Sequence, residues 1–180
     1  MENKMNLNLV RLLMGNKRYI DNNRLDGDFS KDRREETYKN GQHPYAVVVS
    51  CSDSRVIPEA IFDSNLGDLF VIRVAGNVIG DHELASIEYA CEHLGCNLVV
   101  LLGHTGCGAI HSAMCSKSSW PLNSLLDPIK DAIKDEKNEI EASKLNVKYG
   151  VKNIKERLDN LKADVVGMIY HTARGEVEII

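Results

Sequence analysis

Short apolar runs alternate with longer amphipathic segments along this chain. Each short run is bounded by polar, glycine or proline residues, as is typical of strands buried on both faces of a sheet. These runs predict four strands, at residues 45–50, 69–74, 98–102 and 165–170. A turn at 172–175 and a final run at 176–180 predict an antiparallel edge strand.

The segments between the strands space their apolar residues three and four apart, which predicts helices. We expect helices at residues 6–24, 58–62, 81–94, 108–116, 122–136 and 143–162. The first helix precedes the sheet and is expected to have little core of its own, so it could pack on a neighbouring subunit. Residues 26–41 are strongly charged and are interpreted as a solvated face.

Alternation of strands with helices implies right-handed βαβ crossovers. We therefore expect an α/β fold with a mainly parallel β-sheet, flanked by helices and closed by the antiparallel edge strand. The sequence shows no internal repeat and no linker. It predicts a single domain over residues 1–180, with an N-terminal helical arm of about residues 1–40.

Composition narrows the class of protein without defining its chemistry. The 180 residues are 43% hydrophobic and 27% charged, as is ordinary for a soluble globular domain. A net charge of −4 gives no reason to expect a nucleic-acid partner, and no apolar run approaches the ~20 residues that span a membrane. Residues 1–6 lead into an amphipathic segment instead of a signal-peptide core, so we expect a cytoplasmic protein with reduced thiols.

Two thiols and an imidazole follow two of the predicted strands. Cys51 follows the first strand, and His104 and Cys107 follow the third. Parallel sheets bind ligands at the carboxyl ends of their strands, so these three side chains converge if the two strands are neighbours. Two thiolates and one imidazole suit tetrahedral zinc, and three protein ligands leave the fourth position open, as in catalytic sites. We predict one Zn²⁺ per chain.

A carboxylate and a guanidinium lie beside the first ligand. Zinc with two thiolates and a neutral imidazole carries no net charge, so it is a weaker Lewis acid than zinc held by three imidazoles. Asp53 can ligate the metal or accept a hydrogen bond from its water. Arg55 can pair bidentately with Asp53 and keep it off the metal. Released from Arg55, Asp53 could take the fourth position and close the site.

The remaining cysteines and histidines belong to no motif. Five cysteines are an odd number, which argues against a disulfide framework. The other three cysteines lie in or beside apolar helix faces, so they are predicted to be core residues: Cys91, Cys96 and Cys115. The other histidines are predicted to lie on the surface or at helix ends: His43, His82, His93, His111 and His171.

The two motifs resemble those of the β-class carbonic anhydrases. The runs that carry the resemblance are CSDSR at 51–55 and HTGC at 104–107, with further matches in order at 59–63, 67–77 and 86–90. The likeness is strong over about residues 40–115, weaker over 12–19, and loose over 116–162, where the chain is short for the family. It implies reversible hydration of carbon dioxide to bicarbonate and a proton, by attack of zinc-bound hydroxide.

The resemblance also implies a substrate pocket. In the plant-like branch a glutamine nine residues before the first ligand cysteine points at the substrate, and Gln42 occupies that place. The aromatic residues of that pocket match Phe70 and Tyr89. The family builds the cleft at a dimer interface, so homodimers or homotetramers are implied, and Gln42 can belong to the partner chain. Another branch binds inhibitory bicarbonate beside a tryptophan and an arginine; Arg73 matches the arginine, but Val48 replaces the tryptophan.

The same motifs are compatible with other interpretations. Hydrolases of carbon disulfide or carbonyl sulfide with this fold would carry the same ligands. A structural zinc module would use Asp53 as a permanent fourth ligand. Only three residues separate Cys51 from Arg55, too few for the phosphate loop of a thiol phosphatase. The glycines of 103–108 do not follow the order of a dinucleotide-binding loop.

Overall fold

A computed structural model describes residues 6–180 and contains one five-stranded sheet. Its strands are β1 (Ala46–Ser50), β2 (Leu69–Arg73), β3 (Leu98–His104), β4 (Asp164–Tyr170) and β5 (Val177–Ile179). Their order in the sheet is β2-β1-β3-β4-β5; the first four are parallel, and β5 is antiparallel to β4. The predicted fold class is therefore confirmed. Residues 1–5, part of the predicted N-terminal arm and of the segment judged unlike a signal peptide, lie outside the described residues.

Seven helices and one 3₁₀ turn accompany the sheet in this part of the chain. They are α1 (Leu7–Ile20), α2 (Lys31–Asn40), α3 (Pro58–Ile61), a 3₁₀ turn (Ala75–Asn77), α4 (Asp81–His93), α5 (Gly108–Cys115), α6 (Asn123–Ile133) and α7 (Glu139–Arg157). Among residues 6–180, no helix has both the length and the apolar composition that crossing a bilayer requires.

Two of the helices depart from the sequence prediction because of capping residues. The helix expected at 143–162 begins at Glu139, since the Asn138 side chain accepts hydrogen bonds from the backbone N–H groups of Ile140 and Glu141. The charged stretch interpreted as a solvated face forms α2, which Ser30 caps. None of the residues of α2 is buried, so the predicted solvent exposure is correct, but the helix itself was not predicted.

The two central strands are buried along their whole length, and alternate residues feed two different cores. Val48 and Val100 contact the apolar side of α1 and α3. Val47 and Leu101 face the other way, into the core formed with α4 and α7. The parallel register sets Ser50 of β1 beside Leu102 of β3. Both carboxyl ends are therefore held at one edge of the sheet.

The expectation that α1 has little core of its own was wrong. Leu12 is fully buried against the sheet. Asn16 is only 4% exposed, and its amide donates hydrogen bonds to the carbonyls of Ile61 and Gly175 while its oxygen accepts one from the N–H of Val177. The helix is thus attached to its own chain at both α3 and β5. A polar residue in the apolar stripe makes this attachment, so hydrophobic periodicity alone underestimated it.

One of the three cysteines predicted to lie in the core is exposed. Cys96 is buried and Cys91 half-buried, but Cys115 is exposed at the end of α5. It lies two residues after the buried Ala113, about 200° further around the helix, so it points away from the core. The histidines outside the motif are exposed or half-buried; two of them pair with glutamates, namely His111 with Glu139 and His171 with Glu178.

A close backbone approach on α1 gives a test of this packing. A Cβ added at Gly15 would lie 1.9 Å from the carbonyl oxygen of Phe62, whereas one added at Gly108 would meet no atom within 4 Å. We expect Gly15→Ala to lower the free energy of unfolding by about 1–3 kcal/mol. Gly108→Ala, the matched control, should change it by less than about 1 kcal/mol. Urea denaturation of both variants makes the measurement, and equal stabilities would contradict the packing of α1 on α3.

Candidate metal centre

Three potential ligands meet at the carboxyl edge of the sheet. The side-chain donor atoms of Cys51, His104 and Cys107 all lie within 4.8 Å of one another, and all three residues are buried. The two sulfurs are 4.0 Å apart. Sulfurs bound at ordinary length to one tetrahedral zinc would be about 3.8 Å apart, so the cluster has nearly the spacing that zinc requires.

The imidazole of His104 is oriented as a ligand would be. Its Nδ1 lies 3.1 Å from the carbonyl oxygen of Thr105, which fixes the proton on Nδ1. Nε2 is then an acceptor, buried without a hydrogen-bond partner among residues 6–180. An unpaired buried acceptor costs free energy, and a cation held by Nε2 and the two sulfurs would remove that cost. The donor set therefore fits zinc.

The two thiols influence each other's ionisation. The pKa of Cys51 is lowered to about 4, chiefly by its hydrogen bond with Cys107 and further by two backbone N–H groups. The pKa of Cys107 is raised, because the Cys51 sulfur is its neighbour and because it is buried. One proton is thus retained between the pair. A divalent cation bound here would allow both sulfurs to ionise.

Backbone donors hold the Cys51 sulfur in place. The N–H of Gly76, in the 3₁₀ turn after β2, lies 3.3 Å from it, and the N–H of Asp53 lies 3.4 Å from it. Sequence reasoning missed the contribution of Gly76. The available signal was a glycine in the turn that follows a strand, where positive φ and close approach are common, and Gly76 has a φ of 69°.

The Asp53 carboxylate is bound by Arg55 in the geometry predicted. Nε and Nη2 of Arg55 donate to the two carboxylate oxygens at 2.9 and 2.7 Å. Nη2 also donates to the carbonyl of Gly106 at 2.9 Å, so Arg55 joins the loops that carry the ligands. Arg55 holds the pKa of the Asp53 carboxyl well below its usual range. The nearer oxygen, Oδ2, lies 4.0 Å from Nε2 of His104.

Arg73 has a role that the sequence did not indicate. Its guanidinium donates to the carbonyl of Cys51 at 3.2 Å and to the carbonyl of Asp53 at 2.8 Å. It therefore clamps the turn that presents both side chains. The resemblance matched this arginine to a bicarbonate pocket, but its donors Nε and Nη2 are used within the chain.

The residues matched to the substrate pocket lie away from the cluster of their own chain. Phe70 pairs with Val47 in the sheet register, four residues before Cys51, or about 13 Å along the strand. Tyr89 is 49% exposed, with its ring centroid 6.2 Å from that of Phe70. Gln42 is exposed just before β1. The fold thus brings the two aromatic rings together without bringing them to the ligands.

Comparisons with known proteins agree on one family. Residues 46–179 match the family described as carbonic anhydrase. Carbonic anhydrase 2 of Mycobacterium tuberculosis is 45% identical over 102 residues, which are 57% of this chain and 49% of that protein. The chain spans about half the length of the first curated relatives it matches.

Solved structures match over most of the chain. The β-carbonic anhydrase CafA of Aspergillus fumigatus has a TM-score of 0.73 at 28% identity, covering 96% of this chain and 90% of that one. A structure from a study of two tetrameric β-carbonic anhydrases of Sordaria macrospora has a TM-score of 0.67 at 29% identity, covering 82% and 90%.

Metal analysis of cysteine variants tests the cluster. We expect the purified protein to hold about one zinc per chain, since the three donors form one tetrahedral site. Cys107→Ser should lose most of that zinc, because a hydroxyl replaces a thiolate ligand. Cys115→Ser, which changes an exposed cysteine far along α5, should keep it. Elemental analysis after dialysis makes the comparison; equal zinc in both variants would remove Cys107 from the site.

Proposed function

Because the chain belongs to the β-class carbonic anhydrases, we propose that it catalyses the reversible hydration of carbon dioxide to bicarbonate and a proton. The observation that carries the proposal is the convergence of Cys51, Cys107 and the unpaired Nε2 of His104 beside the Asp53–Arg55 pair. These three side chains would hold one Zn²⁺. When bound, zinc supplies the Lewis acidity that makes water nucleophilic at moderate pH.

Asp53 is the residue best placed to orient the attacking water. Its carboxylate is ionised, since Arg55 lowers its pKa, so it can only accept hydrogen bonds. A water between this carboxylate and the ligand cluster would direct an O–H at Asp53 and a lone pair at carbon dioxide. Asp53 is only partly exposed, which leaves the carboxylate few competing waters.

Arg55 decides between an open and a closed site. By engaging both oxygens of Asp53, it keeps the carboxylate from becoming a fourth protein ligand. This supports a catalytic site over the structural zinc module, in which Asp53 would be bound permanently. Thiolate ligands must stay reduced, which is consistent with the predicted cytoplasmic location.

The aromatic pair Phe70 and Tyr89 serves a second copy of the chain in our proposal. Carbon dioxide is apolar, and these paired rings offer an apolar surface; Gln42, the third residue matched to the pocket, is exposed. Phe70 lies nearly the length of β1 away from the cluster of its own chain, so we propose that both rings line the cluster of a neighbouring subunit in a homodimer or homotetramer. The tetrameric Sordaria macrospora enzymes provide a precedent for assembly.

Replacing Arg55 tests its assigned role. We expect Arg55→Ala to retain zinc but to lose about 10–100-fold of the hydration rate, because the freed Asp53 no longer orients water. Arg157→Ala breaks another arginine–aspartate pair, with Asp81 on the surface between α7 and α4, and should keep the parent rate. Stopped-flow assays with a pH indicator measure both. A parent-like rate in Arg55→Ala would refute the role.

Complementation tests whether the pocket acts in trans. One chain carries Phe70→Ala and Tyr89→Ala with an intact cluster, and the other carries Arg55→Ala with an intact pocket. Mixed dimers would then contain one complete site, so activity should recover to about a quarter of the parent value after random pairing. If pocket and cluster act within one chain, the mixture should stay as inactive as its components.

A further inference from the structure

Two asparagines of α7 hold the segment that follows β2. The amide of Asn146 donates to the carbonyl of Gly76 at 2.9 Å, and that of Asn153 donates to the carbonyl of Ile79 at 3.2 Å. Asn146 is only 5% exposed, so its hydrogen bond is shielded from water. Both contacts are amide-to-carbonyl hydrogen bonds, and their acceptors lie three residues apart. Only the acceptor of Asn146, Gly76, also contacts the candidate metal centre.

Gly76 connects Asn146 to the ligand cluster. Its carbonyl accepts from Asn146, and its own N–H donates to the sulfur of Cys51 at 3.3 Å. Gly76 and Asn77 both have left-handed backbone conformations, with φ of 69° and 45°. The left-handed conformation costs glycine little, but it costs Asn77 free energy, which the surroundings of the turn must offset.

The other side of this turn is closed by packing. A Cβ added at Gly76 would lie 2.7 Å from the Cδ1 atom of Ile129 and 3.0 Å from the Cβ atom of Ala109. Helices α5 and α6 therefore prevent the turn from moving toward them. The Asn146 hydrogen bond fixes the Gly76–Asn77 peptide from the α7 side. The Gly76 N–H belongs to the adjacent Ala75–Gly76 peptide, so Asn146 acts on its direction through the backbone angles of Gly76.

We propose that Asn146 is a positioning residue of the metal centre, which sets the Gly76 N–H against the Cys51 sulfur and thereby tunes Cys51 as a metal ligand. This inference rests on the proposed zinc site. A hydrogen bond to a thiolate withdraws electron density from sulfur and weakens its donation to a metal. Loss of Asn146 would release the turn, weaken that hydrogen bond and make Cys51 a stronger electron donor in a less well-ordered site.

Cobalt(II) replacement reads this effect directly, because thiolate-to-cobalt charge-transfer absorption follows the donor strength of sulfur. We expect Asn146→Ala to shift that band to lower energy and to weaken zinc affinity about 10–100-fold, as is typical when an outer-shell partner is lost. Asn153→Ala is the matched control and should leave both the band and the affinity at parent values. Chelator competition measures the affinity.

A third variant keeps the test decisive if Asn146→Ala does not fold. Asn146→Ser retains a polar group, but its hydroxyl is too short to reach the carbonyl of Gly76, so it should show the same spectral shift. A spectrum identical to that of Asn153→Ala would overturn the proposal. Weaker zinc binding without a spectral shift would also overturn it, since that result indicates a purely structural role.

The same experiment separates this inference from the proposed function. A parent protein that binds cobalt but does not hydrate carbon dioxide would contradict the enzymatic proposal, and the spectra would still decide the role of Asn146. A parent protein that binds neither zinc nor cobalt would overturn both.

Discussion

The parallel pairing of β1 with β3 is the constraint on which the candidate site depends. It sets Ser50 beside Leu102, so the first residue after β1 and the last residue of β3 emerge at the same edge. Cys51 and His104 are 53 positions apart in the chain, and the sheet register brings them together. The apolar cores on the two faces of these strands supply the free energy that fixes the register.

The candidate site also depends on whether Arg55 or a bound metal engages the Asp53 carboxylate. Asp53 lies 4.0 Å from His104 Nε2, close enough to become a ligand after a small movement, and Arg55 engages both of its oxygens. Arg55 also binds the Gly106 carbonyl of the loop that carries Cys107. In our proposal, the pair therefore couples the opening of the fourth metal position to the relative position of the two loops, a property that neither residue has alone.

The sequence allowed the fold class and the convergence of Cys51, His104 and Cys107 to be predicted because both depend on local patterns. Buried parallel strands are continuous apolar runs, and chemistry-bearing residues follow directly after them. The features that the sequence did not predict depend on contacts between segments that are distant in the chain. Asn16 joins α1 to α3 and β5 through hydrogen bonds, and Arg73 clamps the Cys51–Asp53 turn through backbone carbonyls. Neither interaction produces a periodicity or a residue spacing that can be recognised in the sequence.

The stretch 116–162, which resembles the family only loosely, still contacts the turn beside the candidate metal centre. Its helices α6 and α7 contain no candidate ligand, and their bounds differed from those predicted. Yet Ile129 packs against the turn at Gly76, and Asn146 binds that turn from α7. Residues that contact the ligands only indirectly need to supply no more than a hydrogen-bond donor or a methyl group at the right distance from the turn. Such contacts leave no motif in the sequence, although in our proposal the position of Cys51 as a ligand depends on them.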